Sequence, residues 1–88
     1  MATEADIDRA LQRIGEAVAG RSLNTKEVET LKKSFRSRTG TPYDRAIRAV
    51  GEALGIGETT TGQKFAASDN PDRLMQDLTQ LVSPPKKP

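Results

Sequence analysis

Four stretches of this chain repeat apolar residues at steps of three and four, and each lies between residues that start and stop helices. This spacing sets one apolar stripe along one face of an α-helix. It predicts an all-α fold, with four helices packed as a compact bundle of two helical hairpins. The stripes are Ile7, Leu11, Ile14 and Val18; Val28, Leu31 and Phe35; Tyr43, Ile47, Val50 and Leu54; and Leu74, Leu78, Leu81 and Val82.

Capping chemistry sets the expected ends of these helices. Thr and Asn side chains accept hydrogen bonds from the free N–H groups of a first helical turn, and an acidic residue three positions later completes a capping box. Glycines follow the first and third stripes and are natural helix stops. The expected starts are Thr3 with Asp6, Asn24 with Glu27, Thr41 with Pro42, and Asn70 with Pro71.

Residues 58–68 carry the weakest helical signal. Three successive threonines and Gly62 have low helix propensity. We expect a loop here, with one helical turn at 64–67 and Phe65 reaching back to the core. The helical domain is then expected to span residues 3–83. A disordered Pro/Lys tail is expected at 84–88, because proline cannot continue a helix.

An internal repeat relates the first and third stripes. Residues 8–18 and 44–54 align at a constant offset of 36 and share identical Asp, Arg, Ala, Gly, Glu and Ala residues. A duplication would give the two hairpins a pseudo-two-fold arrangement. The alternative is that two amphipathic helices of similar composition look alike. Gly15 and Gly51 hold equivalent places, so we expect the first and third helices to cross closely near them.

The absence of both Cys and His narrows the chemistry of this chain. It removes thiol nucleophiles, the commonest general base and the commonest transition-metal ligands. Since the acidic residues also fall on polar helix faces or in first turns, we expect no enzyme, no metal and no cofactor. No apolar run approaches the ~18 residues of a membrane span, and the acidic start lacks the features of a secretory signal. We therefore expect a cytoplasmic protein with no membrane partner.

A small helical domain with a thin core favours protein–protein interaction as the function. A chain of this length buries only about 60–65% of its unfolded surface. We expect an adaptor, assembly component or regulator that binds another protein or itself. Its large aromatic and sulfur-bearing side chains are either core residues or a contact patch. These candidates are Phe35, Tyr43, Phe65 and Met75.

Nucleic-acid binding is the alternative function. Residues 32–48 hold six cations and one anion, and cations with nearby hydroxyls are the groups that contact phosphates. The other interpretation is a solvated basic face, since acidic residues stand one turn from two of these cations. The candidate phosphate ligands in this segment are Lys32, Lys33, Arg36, Arg38, Arg45 and Arg48.

A short glycine motif adds to this alternative. The sequence Leu54-Gly55-Ile56-Gly57 resembles the hairpin of helix-hairpin-helix DNA-binding modules. That resemblance implies that backbone N–H groups of Gly55 and Gly57 meet phosphate. The same residues also fit a helix C-cap, with Gly55 in the left-handed conformation and Ile56 folding back onto the preceding turns.

Overall fold

The computed structural model describes residues 3–82, and this part of the chain is all-helical, as predicted. The predicted count of four helices is wrong, because residues 3–82 form five. Residue 83 and the predicted tail at 84–88 lie outside the described residues. The helices are α1 (Glu4–Ala19), α2 (Thr25–Ser37), α3 (Pro42–Leu54), α4 (Glu58–Ala66) and α5 (Pro71–Val82).

The first three helices start where their capping residues predict. The Thr3 hydroxyl accepts from the Asp6 N–H at 3.2 Å, and the Asp6 carboxylate accepts from the Thr3 N–H at 3.2 Å. Asn24 and Glu27 form the same reciprocal pair at the start of α2. Thr41 accepts from the N–H of Asp44 at 3.1 Å, with Pro42 at the first helical position. Local chemistry therefore fixes these starts.

Helix α4 replaces the predicted loop. Its first turn holds no side-chain cap, but the Thr61 hydroxyl donates to the Gly57 carbonyl at 2.7 Å. Thr61 is fully buried and Phe65, one turn later, is 3% exposed. The helix forms because these two side chains pack into the core, and burial outweighs the weak propensity of the threonines. The predicted reach of Phe65 to the core is confirmed.

The core lies where the apolar stripes meet, and its fully buried side chains include Leu11, Ile14, Leu31, Val50 and Leu78. Helix α2 packs mainly against α3, and α5 packs mainly against α1. The strongest pairings thus do not follow the predicted division into two hairpins, which is not confirmed.

Gly15 and Gly51 make room for neighbours other than those predicted. A Cβ at Gly15 would lie 2.7 Å from Leu23 Cδ1 and 3.2 Å from Leu31 Cδ2. A Cβ at Gly51 would lie 2.9 Å from both the Ile56 carbonyl oxygen and Thr61 Oγ1. Each glycine therefore faces the chain segment that follows its own helix. The predicted close crossing of α1 and α3 is not what places them.

Glu27 ties the start of α2 to the loop before it. Arg21 donates to the Glu27 carboxylate from Nη1 and Nη2, at 2.9 and 2.7 Å, and the Asn24 N–H donates to the same carboxylate at 3.0 Å. These hydrogen bonds lower the pKa of Glu27 to about 2, and the bonds from Arg21 have the largest effect. A glutamate in an unfolded chain has a pKa of about 4.3. The stabilisation from Glu27 is therefore complete above that value and is lost as the pH falls toward 2.

We expect Glu27→Gln to be less stable than the wild type at neutral pH and to approach it in acid. The reason is that glutamine cannot gain a proton, so the variant lacks this part of the pH dependence. Urea unfolding midpoints measured between neutral pH and pH of about 2 test this. Glu29→Gln on the same helix is the matched control, because among residues 3–82 its carboxylate has no hydrogen-bond partner. Parallel pH profiles for the two variants would contradict the assignment.

Candidate interaction surface

The six cations of residues 32–48 divide into two groups in the structure. Arg38 and Arg48 lie beside the α3–α4 turn, where two carboxylates bind them. Arg38 Nη2 lies 2.9 Å from Glu52 Oε1, and Arg48 Nε lies 3.4 Å from Glu58 Oε1. Their charges are thus compensated within the fold. Arg48 pairs with Glu58 across the turn and not with Asp44 or Glu52, the acidic residues four positions away on α3.

Ser34 organises the Arg38 pair. Its hydroxyl donates to Glu52 Oε1 at 2.8 Å and accepts from Arg38 Nε at 2.9 Å. The hydrogen bonds from Ser34 and then Arg38 lower the pKa of Glu52. Ser34 is 5% exposed, so this is a buried hydroxyl with both of its hydrogen-bonding roles filled. The network links the end of α2 to the last turns of α3. No spacing rule in the sequence signals it.

The glycine turn between α3 and α4 is a helix C-cap, as one of its two interpretations predicted. Gly55 is left-handed, with φ of +72°, and its N–H donates to the Gly51 carbonyl. The Ile56 N–H donates to the same carbonyl at 2.9 Å. The Gly55 N–H is therefore occupied within α3. Gly57 is the N-cap of α4, so a second helix follows the glycine turn directly.

The remaining four cations are Arg36 and three neighbours, Lys32, Lys33 and Arg45. Arg36 Nη2 contacts Glu4 at 3.0 Å and Asp8 at 3.1 Å, both on α1. Arg45 stacks its guanidinium 4.0 Å from the centre of the Phe35 ring and donates to the Phe35 carbonyl from Nε and Nη2, at 3.3 and 3.0 Å. Within residues 3–82, no carboxylate lies within salt-bridge distance of Arg45, Lys32 or Lys33.

Two adjoining depressions share Arg36, and together we call them the Arg36 surface. The first is an open groove along the outer face of α2. The second is a smaller cavity of about 190 Å³, where α1, α2, α3 and the end of α5 meet. The groove is lined by Glu29, Lys32, Lys33, Arg36 and Ser37, and the cavity by Glu4, Ile7, Asp8, Phe35, Arg36, Arg45 and Val82.

Sequence reasoning did not find the α1 and α5 side of this surface. The spacing of Glu4, Ile7 and Asp8 shows that they share one face of α1. It does not identify their partner, because Arg36 is 28 residues from Asp8 in the chain. Only the packing of α1 beside the end of α2 brings them together.

The four candidate contact residues have different environments. Phe35 and Phe65 are 2% and 3% exposed, so their rings belong to the core, although Phe35 also lines the cavity beside Arg36. Met75 is half-buried and packs against the core. Tyr43 is 44% exposed and is the one exposed large hydrophobic side chain in residues 3–82.

The Tyr43 side chain packs against Phe65 and Gly62 of α4. Its ring centre lies 6.4 Å from that of Phe65, at an angle of 58°. Its hydroxyl lies over Gly62, where an added Cβ would be 3.6 Å away. The first turn of α3, capped by Thr41, fixes the backbone beneath it. The ring is thus exposed on a supported site at the junction of α3 and α4.

Across residues 3–82, no three His, Cys, Asp or Glu side chains are placed to hold a metal ion. No helix in this range combines the length and the apolar character needed to cross a membrane.

Comparison of the chain with protein-family models, curated proteins and solved structures gives no significant match.

Proposed function

We propose that this chain is a small, non-enzymatic protein-interaction module, acting as an adaptor, assembly component or regulator. The observation that carries the proposal is Tyr43, an exposed aromatic ring supported by the buried ring of Phe65. Tyrosine is enriched among the residues that dominate binding energy at protein interfaces. A ring already held by its neighbours loses little conformational entropy on binding, so it is suited to act as an anchor.

The charge arrangement favours a protein partner over nucleic acid. A phosphate backbone is bound by several uncompensated cations acting together. Here Arg38 and Arg48 are paired with Glu52 and Glu58, and the Glu58 carboxylate stands at the start of α4 beside the glycine turn. A negative charge there opposes phosphate binding at that helix end. Nucleic-acid binding through residues 32–48 and the turn remains the alternative proposal.

We expect Tyr43→Ala to weaken partner capture by about tenfold or more, since truncating an aromatic anchor removes most of its buried contact. The test is a pull-down from native host lysate, split into nuclease-treated and untreated halves, with wild type and variant as bait. Gln76→Ala, at an exposed position on α5, is the control. Circular dichroism verifies that each bait is folded.

The outcomes separate the two proposals. A partner that survives nuclease, is retained by Gln76→Ala and is lost from Tyr43→Ala supports the interaction module. A partner lost on nuclease treatment, with binding that falls steeply as salt rises, supports the nucleic-acid alternative. Equal capture by wild type and Tyr43→Ala would overturn the role of this residue.

An internal duplication of α1 and α3 is a further part of the proposal. It is supported by the equivalent burial of aligned residues. Both helices also end at a left-handed glycine with φ of +72°, but Gly20 and Gly55 are 35 residues apart and so fall one position out of the repeat. The buried pairs at the offset of 36 are Ala10 with Ala46, Leu11 with Ile47, Ile14 with Val50, and Gly15 with Gly51.

A further inference from the structure

Six cations within residues 3–82 have no carboxylate at salt-bridge distance, and three of them, Lys32, Lys33 and Arg45, lie on the Arg36 surface. The other three, Arg13, Lys26 and Lys64, line neither depression. Lys32 and Lys33 line the groove on α2, and Arg45 lines the cavity beside it. Arg36 belongs to both depressions. Three of the six unpaired cations therefore adjoin Arg36 on one contiguous surface, which makes that surface complementary to carboxylates.

The cavity at the end of this surface fits a single apolar side chain. Its volume is about 190 Å³, below the roughly 300–1,000 Å³ typical of small-molecule sites. An apolar cavity of about 150 Å³ holds one benzene molecule. Ile7, Phe35 and Val82 give it apolar walls, and Arg36 and Arg45 stand on its rim. An aliphatic side chain entering here would carry its flanking backbone past two guanidinium groups.

Helix α1 itself places two carboxylates and an aliphatic side chain beside Arg36. Glu4 and Asp8 bind the Arg36 guanidinium from positions one turn apart, and Ile7 between them faces the cavity. The contact is exposed: the side chains of Arg36 and Glu4 are 50% and 72% accessible. Exposed ion pairs contribute little to stability and exchange readily. Arg36 can therefore change carboxylate partners without unfolding α1 or α2.

We propose that the Arg36 surface docks an acidic polypeptide segment of a partner protein, with one aliphatic side chain of that segment seated in the cavity. The segment's carboxylates bind Lys32, Lys33 and Arg45, and they compete with Glu4 and Asp8 for Arg36. The acidic residues of the first turns of α1 thus lower the affinity of the adjoining site for the segment. This inference rests on the proposed function only in that the partner is a protein. The Arg36 surface shares no lining residue with the Tyr43 site, so the two experiments can fail separately.

An acidic polypeptide fits this surface better than nucleic acid does. The groove includes Glu29 and the cavity rim includes Glu4 and Asp8, so the cations are interrupted and do not form the continuous positive row that a phosphate backbone binds. The cavity walls are apolar, and a phosphate backbone offers no aliphatic group to fill them. Carboxylates spaced along a peptide can instead meet individual cations on either side of an anchored side chain.

The test uses the full chain, ¹⁵N-labelled, titrated by NMR with defined probes. The main probe is a short peptide of Glu, Asp and Ser residues with one central Leu. Its two matched peptides replace Leu by Ser, or all acidic residues by their amides. A single-stranded oligothymidylate of similar charge represents nucleic acid. We expect shifts confined to the second half of α2, Arg45 and the first turns of α1. The peptide without Leu is expected to bind about tenfold more weakly.

Variants test each part of the surface. Lys32→Gln with Lys33→Gln is expected to weaken binding of the acidic peptide about threefold or more. Lys64→Gln with Arg13→Gln removes the same charge at residues that line neither depression, and is expected to leave binding nearly unchanged. Glu4→Gln with Asp8→Asn frees Arg36 and is expected to strengthen binding about threefold. Asp69→Asn with Asp72→Asn is its control, with the same change of net charge at exposed positions elsewhere.

Several results would overturn the inference. Tighter binding of the oligonucleotide than of the acidic peptide would assign the surface to nucleic acid. Shifts spread over the whole protein, or equal gains from both pairs of acid-to-amide variants, would reduce the effect to net charge. Equal binding of the Leu and Ser peptides would remove the role of the cavity. No saturable binding of any probe would remove the site.

Discussion

Leu78→Ala is expected to lower the free energy of unfolding by about 3 kcal/mol, within the roughly 2–5 kcal/mol typical of buried leucines. Leu78 is fully buried and is the one buried residue of α5. The other apolar residues of that helix, Leu74, Met75, Leu81 and Val82, are only half-buried against the core. Truncation therefore leaves a cavity at the centre of the contact that holds α5 against the rest of the core.

The effect is large relative to the whole domain. At roughly 0.05–0.15 kcal/mol per residue, a chain of this size has a total stability of about 4–13 kcal/mol. Urea denaturation measures the loss, and amide hydrogen exchange shows whether α5 opens first. Met75→Ala on the same helix is the control, with an expected loss of about 1 kcal/mol because Met75 is half-buried. Equal losses for the two variants would show that Leu78 does not anchor α5.

Gly51→Ala is expected to destabilise the protein by about 2 kcal/mol, whereas Gly15→Ala is expected to change its stability by less than about 1 kcal/mol. The two glycines hold equivalent places in the repeated segment, but they face different kinds of atom. At Gly51 the added methyl would meet the Ile56 carbonyl oxygen at 2.9 Å. That carbonyl belongs to the turn that ends α3 and starts α4, so it can move only if the turn opens.

At Gly15 the nearest atom is the end of the Leu23 side chain, at 2.7 Å. Leu23 is half-buried in the loop before α2 and can change rotamer. The gain in helix propensity from glycine to alanine, up to about 1 kcal/mol, then offsets the remaining strain. Thermal and urea unfolding of both variants give the comparison. Similar losses at both positions would mean that the surroundings of Gly51 relax as easily as those of Gly15.

Several features of the fold followed from residues close together in the sequence. The starts of α1, α2 and α3 were predicted because a capping residue and its partner lie three positions apart, so the geometry is decided within one helical turn. The stop at Gly55 was predicted for a similar reason. Helix α4 was missed because its stability comes from burying Thr61 and Phe65 against other helices, which no local rule expresses.

The candidate site was predictable only in outline. The basic residues 32–48 are evident in the sequence, yet their partners are not, since Arg36 binds α1 and Arg48 binds the first residue of α4. The aromatic candidates look alike in the sequence, but their burial differs in the folded protein. Phe35 and Phe65 become core residues and Tyr43 stays exposed.

The amino-acid sequence by itself determined the all-α class, the apolar faces and the ends of most helices, because hydrogen bonds and side-chain periodicity within a few residues decide them. The tertiary structure alone decided that α4 forms, which cations keep their charge uncompensated, and where a small cavity remains beside Arg36. These properties depend on residues that are distant in the chain and come into contact only when the helices pack.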